Sequence, residues 1–139
     1  YDGVVTKRVP ETGEAIGNVY KLELGGVGCT GILPDSLSAF EECTFICMHW
    51  NLISGELPSR FGNLSQLTHL DLSGNALTGI IDAESLSQFS QLHTLNLSFN
   101  DFEGSIPDVF QHMPYLTCLN LSGNCLTGDV PNSIGCLTQ

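Results

Sequence analysis

Basic side chains are scarce in this sequence: 4 lysines and arginines stand against 15 aspartates and glutamates, a formal charge of −11 over 139 residues. A field of that sign repels phosphate backbones and anionic membrane surfaces, so no nucleic-acid ligand is expected. No uninterrupted apolar run approaches the ~18–20 residues that cross a bilayer, so no direct membrane insertion is expected either. A charged segment followed by an apolar one is missing at the start, where Tyr1 stands instead of Met. Any targeting peptide is therefore expected to have been removed already or to lie outside this sequence. CxxC and HxxxH spacings are absent, as is any catalytic constellation, so no metal, no cofactor and no enzymatic activity are expected.

The residues that are present suffice for one packed domain, 42% of them apolar. Six cysteines are more than a cytosolic scaffold of this size usually carries. They point to an extracellular or secretory-pathway location, with an organelle lumen as the alternative.

Internal repetition decides the fold. Four segments superimpose: ICMHWNLISGELP from Ile46, LDLSGNALTGIID from Leu70, LNLSFNDFEGSIP from Leu95 and LNLSGNCLTGDVP from Leu119. A more degenerate copy, LELGGVGCTGILP, precedes them from Leu22. Val27, Asn51, Asn75, Asn100 and Asn124 hold the reference position, at spacings of 24, 24, 25 and 24 residues. The extra residue falls in the stretch around IIDAESLSQF, and Asp82 there replaces the proline found at Pro34, Pro58, Pro107 and Pro131.

This pattern resembles the plant-type leucine-rich repeat, LxxLxLxxNxLxGxIPxxLxxLxx, over roughly residues 16 to 139. The resemblance implies an α/β-type solenoid of about five rungs, with a parallel concave β-sheet and an irregular or 3-10 convex side. Period-2 pleating sends the two leucines of LxL inward and the residue between them outward. The asparagine after them turns its amide inward to satisfy backbone groups left unpaired at the bend.

Residues 1–18 resemble a partial N-terminal cap, with Tyr1, Gly3, Val4, Gly17 and Val19 on the family pattern and Thr6 where the family has cysteine. Residues 19–139 form the five repeats. The closing PNSIGCLTQ aligns with PSRFGNLSQ, so the last repeat is followed by an unfinished one or a cap.

Members of this family usually bind ligands on the concave sheet or its rim. Phe45, Trp50 and Phe99 stand out there, because the matching residues of other repeats are small or polar, and aromatic side chains often anchor interfaces. A rung spacing of ~4.8 Å puts Trp50 and Phe99 roughly 10 Å apart. His49, His69 and Asp71 share that face and complete the candidate partner-binding set. Together with Cys47 they also offer zinc-type donors. An open sheet provides neither a closed tetrahedron nor an oxyanion hole for a Cys–His nucleophile.

Cys29 and Cys43 occupy leucine positions and read as small core hydrophobes. A bridge among Cys118, Cys125 and Cys136 is open, with no recognisable capping pair. Of three N-x-S sequons, at Asn63, Asn96 and Asn120, only Asn63 lies outside the repeated LNLS and on the convex side. It is the candidate for glycosylation.

Two functions compete. One is a non-enzymatic module binding a protein or peptide through the concave sheet or its rim. The other is an accessory subunit of a large extracellular or organelle-lumenal complex. Binding to a regular surface such as ice needs identical outward residues on every rung, which this sequence lacks.

Overall fold

The computed structural model describes residues 4–6 and 19–137, and within them each repeat forms one rung. The strands are β1 (Val4–Thr6), β2 (Val19–Glu23), β3 (Thr30–Ile32), β4 (Phe45–Cys47), β5 (Leu52–Gly55), β6 (His69–Asp71), β7 (Ala76–Leu77), β8 (Thr94–Asn96), β9 (Glu103–Ser105), β10 (Cys118–Asn120) and β11 (Cys125–Thr127). One six-stranded sheet runs β1-β2-β4-β6-β8-β10, parallel throughout except where β1 pairs antiparallel with β2. Tyr1, Gly3 and Gly17 of the cap pattern lie outside the described residues, as does Gln139.

Register is constant from rung to rung. Glu23, Cys47, Asp71, Asn96 and Asn120 face one another in a single row, and Leu22, Ile46, Leu70, Leu95 and Leu119 form the row behind it. Pleating buries the leucine row, with Ile46, Leu70, Leu72, Leu95 and Leu97 almost wholly out of contact with solvent. Phe61, Phe89 and Phe110 complete that core from the convex side. Cys43 is fully buried, as its leucine position requires, while Cys29 is half-buried against the core.

The asparagines join the rungs. Asn75 Nδ2 donates to Met48 O and to Leu72 O, and its Oδ1 accepts from Ile53 N at 3.1 Å. Asn51, Asn100 and Asn124 repeat the pattern. Met48 O, Leu72 O and Leu97 O each accept from two successive asparagines, so an unbroken chain of amides and carbonyls runs from Leu24 to Leu121. Val27, which holds this position in the first repeat, has no side-chain amide to extend it.

On the convex side the chain returns through 3-10 turns at Asp35–Ala39, Phe61–Asn63, Phe110–His112 and Asn132–Cys136. The third repeat differs: helix α1 spans Ala83–Ser87. An α-turn takes 3.6 residues where a 3-10 turn takes three, so it absorbs the extra residue without disturbing the sheet. Asp82 is its N-cap, accepting from Ser85 N at 2.8 Å.

Those bonds from the Ser85 backbone and side chain hold the Asp82 carboxyl below its ordinary range. A carboxylate depressed in the folded state stabilises above its unfolded pKa and stops doing so as pH falls through the folded value. Asp82→Ala is expected to lower stability by about 1 kcal/mol at neutral pH. The difference from native should shrink as pH falls through the lowered folded pKa, as urea unfolding at neutral and at acid pH will read.

Candidate functional site

Five outward positions per rung make the concave face, and the structure sorts them into two aromatic rails on either side of a polar floor. The first rail follows the start of the strands. Lys21 Nζ lies 4.7 Å from the centre of the Phe45 ring. Phe45 lies 5.4 Å from His69, His69 stacks on His93 at 6.3 Å, and His93 stacks on Tyr115 at 5.8 Å. His69 is fixed further by a 2.9 Å hydrogen bond between its Nδ1 and Thr68 Oγ1.

His93 and Tyr115 were not among the sequence candidates. His93 immediately precedes β8 and Tyr115 stands three residues before β10, so both lie outside the strand positions that the repeat marks as facing out.

The second rail lies about five residues further along each strand, roughly 15 Å away. Gly26, Trp50, Gly74, Phe99 and Gly123 hold the same turn, all at positive φ, with Trp50 at 51° and Phe99 at 54°. Left-handed backbone costs a non-glycine residue ~1 kcal/mol or more. The fold accepts glycine there on three rungs, so nothing in it demands an aromatic ring on the other two.

The rings nonetheless stay in solvent, 62% exposed for Trp50 and 56% for Phe99. They do not stand a two-rung distance apart, as rung spacing alone implies. Their centroids are 6.0 Å apart and the rings are stacked. Glycine makes the difference: Trp50 lies down across Gly74, where an added Cβ would come 2.5 Å from the indole. Phe99 in turn lies over Gly123.

The chain has a single tryptophan, so its fluorescence reports this rail alone. Gly74→Ala is expected to lift the indole off the sheet and separate it from Phe99, shifting the emission maximum to longer wavelength. Unchanged emission would place the indole elsewhere.

The floor is polar. Asp71 Oδ1 accepts from Ser73 Oγ at 2.6 Å, Asn96 Oδ1 from Ser98 Oγ at 2.7 Å, and Asn120 Oδ1 from Ser122 Oγ at 2.8 Å. Ser73 and Ser98 point outward but are buried nonetheless.

The same two-residue step in the second repeat sets Cys47 Sγ 2.9 Å from His49 Nδ1. One donor atom each from Cys47, His49 and Asp71 lies within 4.8 Å of the others. His69, grouped with these three by sequence, is instead held in the first rail. Among the described residues this is the one cluster of metal-ligating side chains. Burial above all pushes the Cys47 thiol upward; the His49 backbone bond pulls it back, the Asp71 and Glu23 carboxylates raise it further, and Lys21 opposes them least. That direction does not suit a nucleophile, which needs a lowered pKa.

Of the remaining candidates, Cys118 lies on the concave sheet in the row of Phe45, His69 and Thr94. Asn63 is exposed at the end of its 3-10 turn. Cys118, Cys125 and Cys136 are exposed free thiols, with no bridge among them. No helix among the described residues is long and apolar enough to cross a membrane.

Two family models, both described as leucine rich repeat, match residues 51–102 and 115–137. Phytosulfokine receptor 1 of Arabidopsis thaliana is 40% identical over 63 residues, which are 45% of this chain and 6% of that receptor. A chain of the BIR3–SERK2 complex from Arabidopsis thaliana superimposes with a TM-score of 0.85 at 31% identity, over 96% of this chain and 68% of that one. The ectodomain of the receptor kinase SOBIR1 from the same plant gives 0.88 at 25% identity, over 99% and 76%. The Arabidopsis receptor kinase HAESA, in complex with the peptide hormone IDA and the co-receptor SERK1, gives 0.74 at 36% identity, over 78% of this chain and 18% of that one.

Proposed function

The chain belongs to the leucine-rich-repeat family, and from that premise we propose that it is a non-enzymatic recognition module for a protein or peptide, docking across the concave floor between the two rails. The observation that carries this is the Trp50–Phe99 pair. Two large apolar rings stand in solvent on backbone that disfavours them, at positions where glycine serves the fold equally well. Side chains held at a conformational cost, with no internal packing that requires them, serve something outside the fold. Large rigid aromatics are also the residue type that anchors interfaces at low entropic cost.

Charge narrows the partner. At −11 the chain steers toward neutral or basic surfaces and away from acidic ones. On the floor, His49 and Asp71 supply the polar side chains that fix register, and Phe45 and His69 do so along the first rail. Of the similar structures, one comes from the BIR3–SERK2 complex and another from a receptor kinase bound to a peptide hormone and a co-receptor, which supports the same reading and an extracellular location. Asn63, exposed on the convex side, is the position where a sugar leaves both rails clear.

The test is affinity capture from the native source, run in parallel on the native protein and on the Trp50→Gly/Phe99→Gly double variant. A partner held by the first and lost by the second supports docking on the rail. Capture of the same large assembly by both would overturn it and favour an accessory subunit held by its edges.

A further inference from the structure

We propose that Cys47, His49 and Asp71 form a three-donor binding site for a zinc ion on the concave face, with the fourth coordination position open. The inference does not rest on partner docking, since it follows from donor chemistry and sheet geometry alone.

Thiolate, imidazole and carboxylate are the zinc-binding side chains, and three protein ligands with one open position is the arrangement of accessible zinc sites. The sheet brings them together from two directions. Cys47 and His49 are two residues apart on one rung, which places both side chains on the same face. Asp71 is the residue directly opposite Cys47 on the next rung.

Cys47 Sγ and His49 Nδ1 are 2.9 Å apart. Zinc bonds of ordinary length at a tetrahedral angle need ~3.5 Å, so the imidazole has to withdraw by about 0.6 Å. His49 and Asp71 are already oriented by neighbours, as metal ligands generally are. His49 leans over Gly25, where a Cβ would come 2.6 Å from its ring. Ser73 holds Asp71 Oδ1, and Asn96 Nδ2 donates to Asp71 Oδ2 at 3.2 Å.

Asp71 brings a carboxylate to the cluster, while Glu23, opposite Cys47 on the other side, is paired with Lys21 at 2.9 Å. A divalent ion binds there by displacing the thiol proton to solvent and pairing with the sulfur and the Asp71 carboxylate together. The open position then takes water, or a side chain from a docked molecule.

The rungs themselves supply the right control. Asn96 and Asn120 occupy the Asp71 position on the next two rungs and hold Ser98 and Ser122 as Asp71 holds Ser73. Asp71→Asn therefore keeps the bonds from Ser73, gives up only the 3.2 Å bond from Asn96, and removes a charged ligand.

Purified metal-free protein would be titrated with Co²⁺ and then Zn²⁺, following the thiolate-to-cobalt charge-transfer band. The expected result is one equivalent bound, a band displaced by Zn²⁺, its loss in Cys47→Ser, and zinc affinity at least about tenfold weaker in Asp71→Asn. The Cys118→Ser/Cys125→Ser/Cys136→Ser variant should bind as the native protein does. No band in the native protein, a band that survives Cys47→Ser, or one that vanishes with the three exposed cysteines would each overturn the assignment. Circular dichroism and the metal-free Tm confirm that every variant compared is folded.

Discussion

Asn100→Ala is expected to destabilise the protein by about 3–5 kcal/mol, a large share of the ~5–15 kcal/mol that holds a typical domain. Asn100 is only 6% exposed, and its amide is the third of the four in the asparagine chain, with an asparagine on either side. Its loss leaves the buried Leu77 N–H without an acceptor. Leu72 O and Leu97 O each lose one of two amide donors, while Asn75 and Asn124 still hold the other. An orphaned buried donor costs ~1–3 kcal/mol and each lost bond about 1 kcal/mol, which gives the range.

Asn124 sits at the last rung in reach of water, so Asn124→Ala should cost about 1–2 kcal/mol. The order of the two urea midpoints checks the reading. Equal midpoints would mean that the amides add little and the leucine core alone sets stability.

Trp50→Gly should produce the opposite pattern, a large loss of binding on an intact fold. An anchoring aromatic contributes ~2 kcal/mol or more, so affinity for the captured partner should fall at least about 30-fold. Stability should scarcely move: relief of positive φ returns ~1 kcal/mol, and loss of the stack on Phe99 removes a similar amount. Leu97→Ala, in the fully buried row, supplies the contrast and should cost ~2–5 kcal/mol. Calorimetry of binding beside thermal unfolding separates the two variants. A Trp50→Gly protein that unfolds as readily as Leu97→Ala would make the rail a structural element.

The solenoid was legible in the sequence because each rung must solve the same problem with the same residues. Inward leucines, a bend-satisfying asparagine and a turn glycine recur wherever the backbone repeats, so period and chemistry agree. What the sequence concealed depends on side chains crossing between rungs. Trp50 meets Phe99 at 6.0 Å because Gly74 is small enough to be lain upon, which no count of rung spacings reveals.

The Cys47, His49 and Asp71 donors were visible in the sequence on two neighbouring rungs, together with His69, but were set aside for want of a familiar ligand spacing. CxxC and HxxxH describe ligands converging along one segment, whereas here the third donor comes from the neighbouring strand. Asp82 was visible as an irregularity beside the insertion. That it caps a short α-helix follows only once the extra residue has to be wound into a turn of fixed length.

The unbroken register of the sheet has a metric consequence. Equivalent atoms of successive rungs recur at a pitch of about 4.8 Å, while an extended peptide advances about 3.3 Å per residue. Two rungs therefore match three peptide residues, both close to 10 Å, so the two rulers coincide again and again like a vernier. Because side chains alternate between faces, a strand laid lengthwise along the stack would present the same face in the same phase at every sixth residue, matched to four rungs.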